Sequence, residues 1–270
     1  MHTSDQKAVF FDIDGTLVDD YNQIPESAAQ AIRRLRANGH LAFINTGRTL
    51  VSVGDHIRQV GFDGWICACG SRVYLNEEEI FVQSLPKERY ADIIRILREM
   101  KAPVFFEGPD RVYFDPHNPG NTPGLITCKQ YFTRITGGKV LDLPLDPEDD
   151  SILFDKFFCL FEPGEDISRL QEFVKDDFLS ILHANGHFEV TAKGCSKALG
   201  IQVLSKRLGL TPDRCYAAGD SANDLEMFKA VSHSIAMGNS AQVILPFAEF
   251  VTKTVEEEGI RHALEHYGLI

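Results

Sequence analysis

The chain has 270 residues and a net charge of −12, with 27 Lys and Arg against 39 Asp and Glu. That balance argues against general nucleic-acid binding, which needs a basic face. With 44% hydrophobic and 24% charged residues, the composition is that of a globular protein, long enough for one large domain or two modest ones. No run approaches the ~20 apolar residues that span a bilayer. The N-terminus lacks a basic-then-apolar leader, so a cytoplasmic protein with no membrane partner is expected. Six cysteines, at 67, 69, 128, 159, 195 and 215, form no CxxC pair. Most fall in apolar strand-like runs and read as buried free thiols.

The first element in chain order is the apolar run Ala8 to Phe11. Without alternation it reads as a strand buried on both faces, as in a parallel sheet. It delivers Asp12 and Asp14, which point the same way if the strand continues, and Gly15 lets the backbone turn. Ligands of such sheets sit at strand carboxyl ends, although Asp-Gly alone is also a common loop dipeptide. A helix from Pro25 carries Ala28, Ala31, Ile32 and Leu35 on one face and is capped near Gly39. Leu41 to Ile44 is a second strand, ending in Asn45-Thr46-Gly47-Arg48. A helix over about 50–60 stops at Gly61. Trp65 to Ala68 is a third strand, and the stretches 73–75 and 80–82 form a hairpin. Strand–helix–strand–helix–strand implies a wound parallel sheet.

From about Leu85 the pattern changes. Pro86 to Met100 is an amphipathic helix, Val104 to Phe106 and Val112 to Phe114 are an antiparallel pair, and Asp115 to Gly124 is a loop. A strand over 154–161, a helix over 167–174 and a hairpin across Asn185-Gly186 follow. Locally paired strands with helices between them predict a separate α+β module inserted into the sheet. The alternating pattern resumes after Lys193. It comprises a helix over 196–208, a strand over 215–218 ending in Gly219-Asp220-Ser221-Ala222-Asn223-Asp224, and a helix to Val231. A strand over 234–236, a helix near 241–245, a strand at 250–251 and a final helix over 256–267 complete it. The fold class predicted is α/β, a Rossmann-like wound parallel sheet with an inserted α+β domain. The core is placed at 1–84 and 188–270 and the insertion at 85–187.

Four groups of residues fall beside strand ends or helix starts: Asp12 with Asp14, Thr46-Gly47-Arg48, Lys197, and Asp220 with Asn223 and Asp224. Converging carboxylates repel one another unless a cation joins them, and hard oxygen ligands point to Mg²⁺. A hydroxyl, backbone amides and a lysine suit a phosphate dianion. Taken alone, Lys197 is an ordinary solvated lysine, and Ser196 before it an ordinary helix cap.

Together, in this order, the four groups resemble the motifs of the haloacid dehalogenase-like superfamily of phosphohydrolases. Within it, they resemble the Cof-type phosphatases with a large cap inserted after the second motif. DIDGT matches the first motif, NTGR the second, the lysine of CSKALGI the third and GDSANDLEMF the fourth. The resemblance implies that Asp12 is a nucleophile forming an aspartyl-phosphate. It also implies that Asp14 is general acid and then base, and that Thr46, Gly47, Lys197 and Asn223 hold phosphate. Mg²⁺ is implied on the Asp12 side chain, the Asp14 carbonyl and Asp220, with Asp224 orienting a metal-bound water. Arg48 either reaches substrate or pairs with a neighbouring acid. Where such relatives read Asn-Gly-Ala after the third strand, this chain has Cys69-Gly70-Ser71, which removes an amide from the substrate side. The activity so implied is hydrolysis of small phosphorylated metabolites, sugar phosphates foremost, by a monomer or weak homo-oligomer. A phosphotransferase or mutase on the same core is the alternative. A phospho-acceptor signalling domain or a non-catalytic phosphate-binding protein would be of a different class.

Overall fold

The computed structural model describes residues 5–118, 122–183 and 185–270. Its elements begin with β1 (Ala8–Phe11), α1 (Glu26–Ala37), β2 (Leu41–Asn45), α2 (Asp55–Arg58), β3 (Gly64–Cys67), β4 (Arg72–Leu75) and β5 (Glu78–Val82). Next come α3 (Tyr90–Glu99), β6 (Val104–Glu107), β7 (Val112–Phe114), α4 (Pro123–Ile135), β8 (Val140–Asp142) and β9 (Lys156–Leu160). Then follow α5 (Ser168–Val174), β10 (Phe178–Leu182), β11 (His187–Ala192), α6 (Lys197–Leu208) and β12 (Cys215–Gly219). The chain closes with α7 (Leu225–Ala230), β13 (His233–Ala236), β14 (Phe250–Val251) and α8 (Gly259–His266). They fall into two compact units: Met1–Gly47, Asp55–Val82 and Ser196–Ile270 in the first, Arg48–Gly54 and Gln83–Cys195 in the second. No helix among the described residues is long and apolar enough to cross a membrane.

The first unit is built on an eight-stranded sheet of order β14-β13-β12-β1-β2-β3-β4-β5. The pairs from β14 through to β3 are parallel, and β4 and β5 add an antiparallel hairpin. All four residues of β1 are buried, as the unbroken apolar run requires. On one sheet face Phe10 and Phe43 stack with ring centroids 5.2 Å apart. Ile201 and Leu204 of α6, with Met227 and Phe228 of α7, pack over that face. The chain order reverses at β1, whose neighbours are β2 and β12. This is the switch point where open α/β sheets leave a crevice at the strand ends.

The second unit has a six-stranded sheet of order β10-β11-β9-β6-β7-β8, antiparallel except for β7 with β8. Alternation along its strands separates two faces. Val104, Phe106, Phe157, Cys159, Phe188 and Val190 face α3 and α5. Phe105, Val112 and Phe114 face Leu125 and Phe132 of α4 together with Val51. On this second face Glu107, Lys156 and Glu189 lie on adjacent strands, each less than a tenth exposed. Lys156 Nζ is 3.2 Å from Glu107 Oε1 and 2.9 Å from Glu189 Oε1. Burial alone would raise the Glu189 pKa, but Lys156 and His183 outweigh it and lower it to about 2.

Three expectations are corrected. The loop reading of Asp115 to Gly124 stops short, because α4 begins at Pro123; residues 119–121 lie outside the described residues. The Thr122 hydroxyl accepts from the Leu125 N–H at 3.3 Å, and Pro123 sits at the helix start, where its missing N–H costs nothing. The helix expected over 50–60 is a 3₁₀ turn, Leu50–Ser52, then the one-turn α2, because Val53 between them is extended. Near 241–245 a 3₁₀ turn at Leu245–Phe247 replaces the expected helix. Neither α4 nor β8 has a counterpart among the expected elements; the remaining strands and helices stand within a few residues of their expected bounds.

Replacing Lys156 with Met strands two buried carboxylates, and losing one partner of a buried ion network costs about 3–5 kcal/mol. Urea unfolding of Lys156→Met at pH 7 should show a loss of that order. Neutralising the acids as well, with Glu107→Gln and Glu189→Gln in the same chain, should recover part of it.

Candidate active site

Parallel pairing gathers the candidate residues of the first unit. β1 is in register with both neighbours, Phe11 opposite Ile44 of β2 and Ala218 of β12. The residues that follow these strands, Asp12, Thr46 and Asp220, therefore emerge at one sheet edge. The Asp12 N–H extends the ladder by donating to the Ala218 carbonyl at 3.0 Å.

Lys197 arrives from the N-terminus of α6. The Ser196 hydroxyl caps that helix by accepting from the Leu199 N–H at 3.0 Å. The buried Asn45 amide donates to the Lys197 carbonyl at 3.0 Å. Gly70 has φ +89°, and a Cβ there would lie 2.1 Å from the Ser196 carbonyl, so only glycine lets the helix start approach so closely. Lys197 is 2% exposed, which overturns the solvated-lysine alternative. Its Nζ is 2.8 Å from Asp12 Oδ1 and 2.5 Å from Asp224 Oδ1. Burial opposes its charge, but Asp12 and Asp224 outweigh burial and raise its pKa above the ordinary lysine value.

The acids differ in what holds them. Asp224 Oδ2 accepts from the backbone N–H groups of Asp220 and Ser221, at 2.9 and 3.0 Å. With Lys197 on its other oxygen, Asp224 is occupied on both sides. Asp220 Oδ1 accepts from the Thr16 hydroxyl at 3.2 Å. Gly15 has φ +74°, and a Cβ there would lie 2.5 Å from Asp220 Oδ2, so the glycine of the first motif makes room for the acid of the fourth. Burial, then the charge of Asp224, push the Asp220 pKa up to about 6. Burial also pushes Asp12 above the usual carboxylate range, against the pull of Lys197. Oxygens of Asp12, Asp220 and Asp224 lie within 4.8 Å of one another. Crowded carboxylates with little access to water, those of Asp12 and Asp220 with raised pKa values, fit a divalent cation.

Asp14 stands apart. Its side chain is exposed, and its backbone bridges to Val18. Thr46 is buried, and its carbonyl accepts from the Cys69 N–H at 3.1 Å. The Cys69 thiol sits 3.3 Å from where a Gly47 Cβ would stand. Asn223 is exposed, and its Oδ1 accepts from the Ser221 hydroxyl at 2.8 Å and lies 3.4 Å from Lys197 Nζ. Arg48 belongs to the second unit, where its Nη1 donates to the Ser52 carbonyl at 3.5 Å. Motif reading gave no role to Thr16 and Asn45, which lie inside the first two motifs, and missed Asn239. The Asn239 side-chain amide donates to the Gly15 carbonyl at 2.8 Å, from more than 200 residues away with no local signal.

The model of a family described as haloacid dehalogenase-like hydrolase matches residues 9–264. The chain belongs to that family. YkrA of Bacillus subtilis is 30% identical over 272 residues, covering 98% of this chain and 99% of that protein. A second B. subtilis relative, 5-amino-6-(5-phospho-D-ribitylamino)uracil phosphatase YcsE, is 26% identical over 270 residues, 98% of this chain and 97% of its own length. Among solved structures, the HAD subclass IIB sugar phosphatase BT4131 superposes with a TM-score of 0.80 at 25% identity, covering 98% of this chain and all of that one. The present chain is a phosphatase of this family, whose phosphatases generally use a divalent metal.

With the Asp220 pKa raised from 3.8 to about 6, stability is lost as the pH rises through that interval and stays lost above it, and a bound cation would offset the loss. A divalent cation should therefore raise Tm clearly at pH 7.5, and by progressively less as the pH falls below about 6. Gly15→Ala, which drives a methyl into Asp220, should abolish the cation-dependent rise. Thermal scans with and without millimolar cation read both effects.

Proposed function

We propose that this chain is a Mg²⁺-dependent phosphatase of small phosphorylated metabolites, sugar phosphates foremost, acting through a phosphoryl group carried on Asp12. The observation that carries the reading is the buried Asp12–Lys197 contact inside the acidic cluster. The charge of Lys197 pulls against the burial that raises the Asp12 pKa and offsets part of the repulsion between its carboxylate and a phosphate dianion. Mg²⁺, held by Asp12, the Asp14 carbonyl and Asp220 with Asp224 behind them, supplies further positive charge against that repulsion.

The Thr46 hydroxyl, the Gly47 N–H, Lys197 and Asn223 hold the phosphoryl oxygens. Asp12 attacks phosphorus, and the bond from phosphorus to the ester oxygen breaks. The exposed Asp14 gives its proton to the leaving alkoxide. It then takes a proton from the water that attacks the aspartyl-phosphate, releasing inorganic phosphate and restoring Asp12. The second unit serves as the cap that selects substrate, with Arg48 reading the part of the molecule beyond the phosphate. YcsE is named for a phosphorylated ribityl compound and BT4131 as a sugar phosphatase. Both names support a phosphate carried on a small polyhydroxylated molecule. Cys69 puts a thiol where an amide would otherwise offer hydrogen bonds.

Three measurements test the reading. A panel of hexose and pentose phosphates, nucleoside monophosphates and 4-nitrophenyl phosphate, with and without Mg²⁺, tests substrate class and metal. Failure of every sugar phosphate would remove that part. Asp12→Asn should lose turnover while keeping its circular dichroism spectrum, and acid quenching of wild type should trap phosphate on Asp12. Asp14→Asn should slow the first step with a sugar phosphate by ~10²–10⁴-fold. It should affect 4-nitrophenyl phosphate much less, because nitrophenolate leaves without a proton. Rapid mixing should then show a burst of nitrophenolate followed by slow turnover. Equal slowing with both substrates would remove Asp14 from the general-acid role.

A further inference from the structure

The buried charge network of the second unit does more than fill a sheet face. Glu107 Oε2, the oxygen that Lys156 leaves open, accepts hydrogen bonds from the Thr49 hydroxyl at 2.9 Å and the Ser52 hydroxyl at 3.0 Å. Both hydroxyls are at most 2% exposed, and they lie 3.1 Å from each other. Val51 between them packs into the aromatic cluster of Phe105, Phe114 and Phe132. Segment 48–54 is thereby fastened to the six-stranded sheet by two hydroxyls and one apolar side chain. The Ser52 carbonyl in turn accepts from Arg48, the residue directly after Thr46 and Gly47.

We propose that Glu107 is a positioning residue for substrate affinity. By clamping Thr49 and Ser52 it fixes the carbonyl on which the Arg48 guanidinium is aimed, and so sets the geometry with which Arg48 meets the polar body of the substrate. This rests on the reading of Arg48 as a substrate contact. Charge-assisted hydrogen bonds to a buried carboxylate are about twice as strong as neutral ones, and Lys156 Nζ lies 3.2 Å from the other oxygen of this one. A hydroxyl-to-carboxylate clamp on an otherwise aromatic face therefore holds a short segment more firmly than packing alone. Glu107 touches neither phosphate nor reacting atoms in this scheme, so its loss should appear in KM and leave the phosphoryl steps intact.

The test compares Glu107→Gln, Arg48→Ala and the double variant, using the best-hydrolysed sugar phosphate of the panel and 4-nitrophenyl phosphate as probes. Hydrogen exchange of amides 48–54 is followed in parallel. Glu107→Gln should raise KM for the sugar phosphate by about tenfold, with kcat within about twofold. Exchange over 48–54 should accelerate, and the double variant should be no worse than Arg48→Ala alone, as expected of residues acting through one another. Should Glu107→Gln fold poorly, Thr49→Val with Ser52→Ala removes the clamp while leaving the ion network whole, and Thr49→Ser should restore wild-type KM. Effects that multiply in the double variant would overturn the route through Arg48. Unchanged exchange over 48–54 would overturn the clamp itself. If Arg48→Ala left KM unchanged for both probes, the substrate role of Arg48 and this inference would fall together. The trapped phosphate on Asp12 would still stand, which separates that failure from failure of the phosphatase reading. If the panel held no hydrolysed sugar phosphate, 4-nitrophenyl phosphate would remain the probe, and an unchanged KM in Glu107→Gln would overturn the inference.

Discussion

A single buried cation organises the first unit. Lys197 is sealed between Asp12 and Asp224, and charges taken out of water are tolerated only when paired and hydrogen-bonded. Around that pair the backbone is arranged to leave no freedom. Asn45 holds the lysine's own carbonyl, Ser196 caps its helix, and two main-chain amides occupy the far oxygen of Asp224. β1, β12 and α6 must all be in place before the ion pair exists. The local charge balance is thus a consequence of the sheet order, and the chemistry proposed for Asp12 depends on it.

Much of this was legible beforehand because the informative residues sit at element ends. Apolar runs marked β1, β2 and β12, and the acids, hydroxyl and glycine followed them directly. Local periodicity placed α1, α3 and α6 for the same reason. What escaped was carried by pairings distant in sequence. Asn239 fastens the turn after β1, yet it does not differ locally from any polar loop residue, and Thr16, though inside the first motif, gives no sign of its bond to Asp220. Pro123 and Gly124 read as breakers, whereas the Thr122 cap turns the proline into a helix start. The run 50–60 looks helical from its apolar spacing, but Val51 is drawn into an aromatic cluster of the second unit and the helix shrinks to one turn.

The turn after β3 shows a different kind of constraint. Ala68 and Cys69 have φ of +48° and +53°, values that cost a side-chain-bearing residue roughly 1–2 kcal/mol each. That conformation brings the Cys69 N–H onto the Thr46 carbonyl and its thiol against Gly47. The turn at Thr46 and Gly47 is thus supported by a strained neighbour, and the side chain at 69 is fixed in place rather than free to adapt. A position so constrained shapes the nearby surface through its size and polarity alone.

The division of the chain also bears on the order in which the protein forms during synthesis. The second unit is finished once Cys195 has been made, since its other piece, Arg48–Gly54, precedes it. The first unit is not, because β12, which flanks β1 on one side, lies at 215–219. Until that stretch leaves the ribosome, β1 has an open, wholly apolar edge. Unpaired apolar strands are sites of intermolecular association. A nascent or truncated chain ending before α6 therefore carries a folded insertion beside half a sheet, the state from which aggregation is most readily seeded.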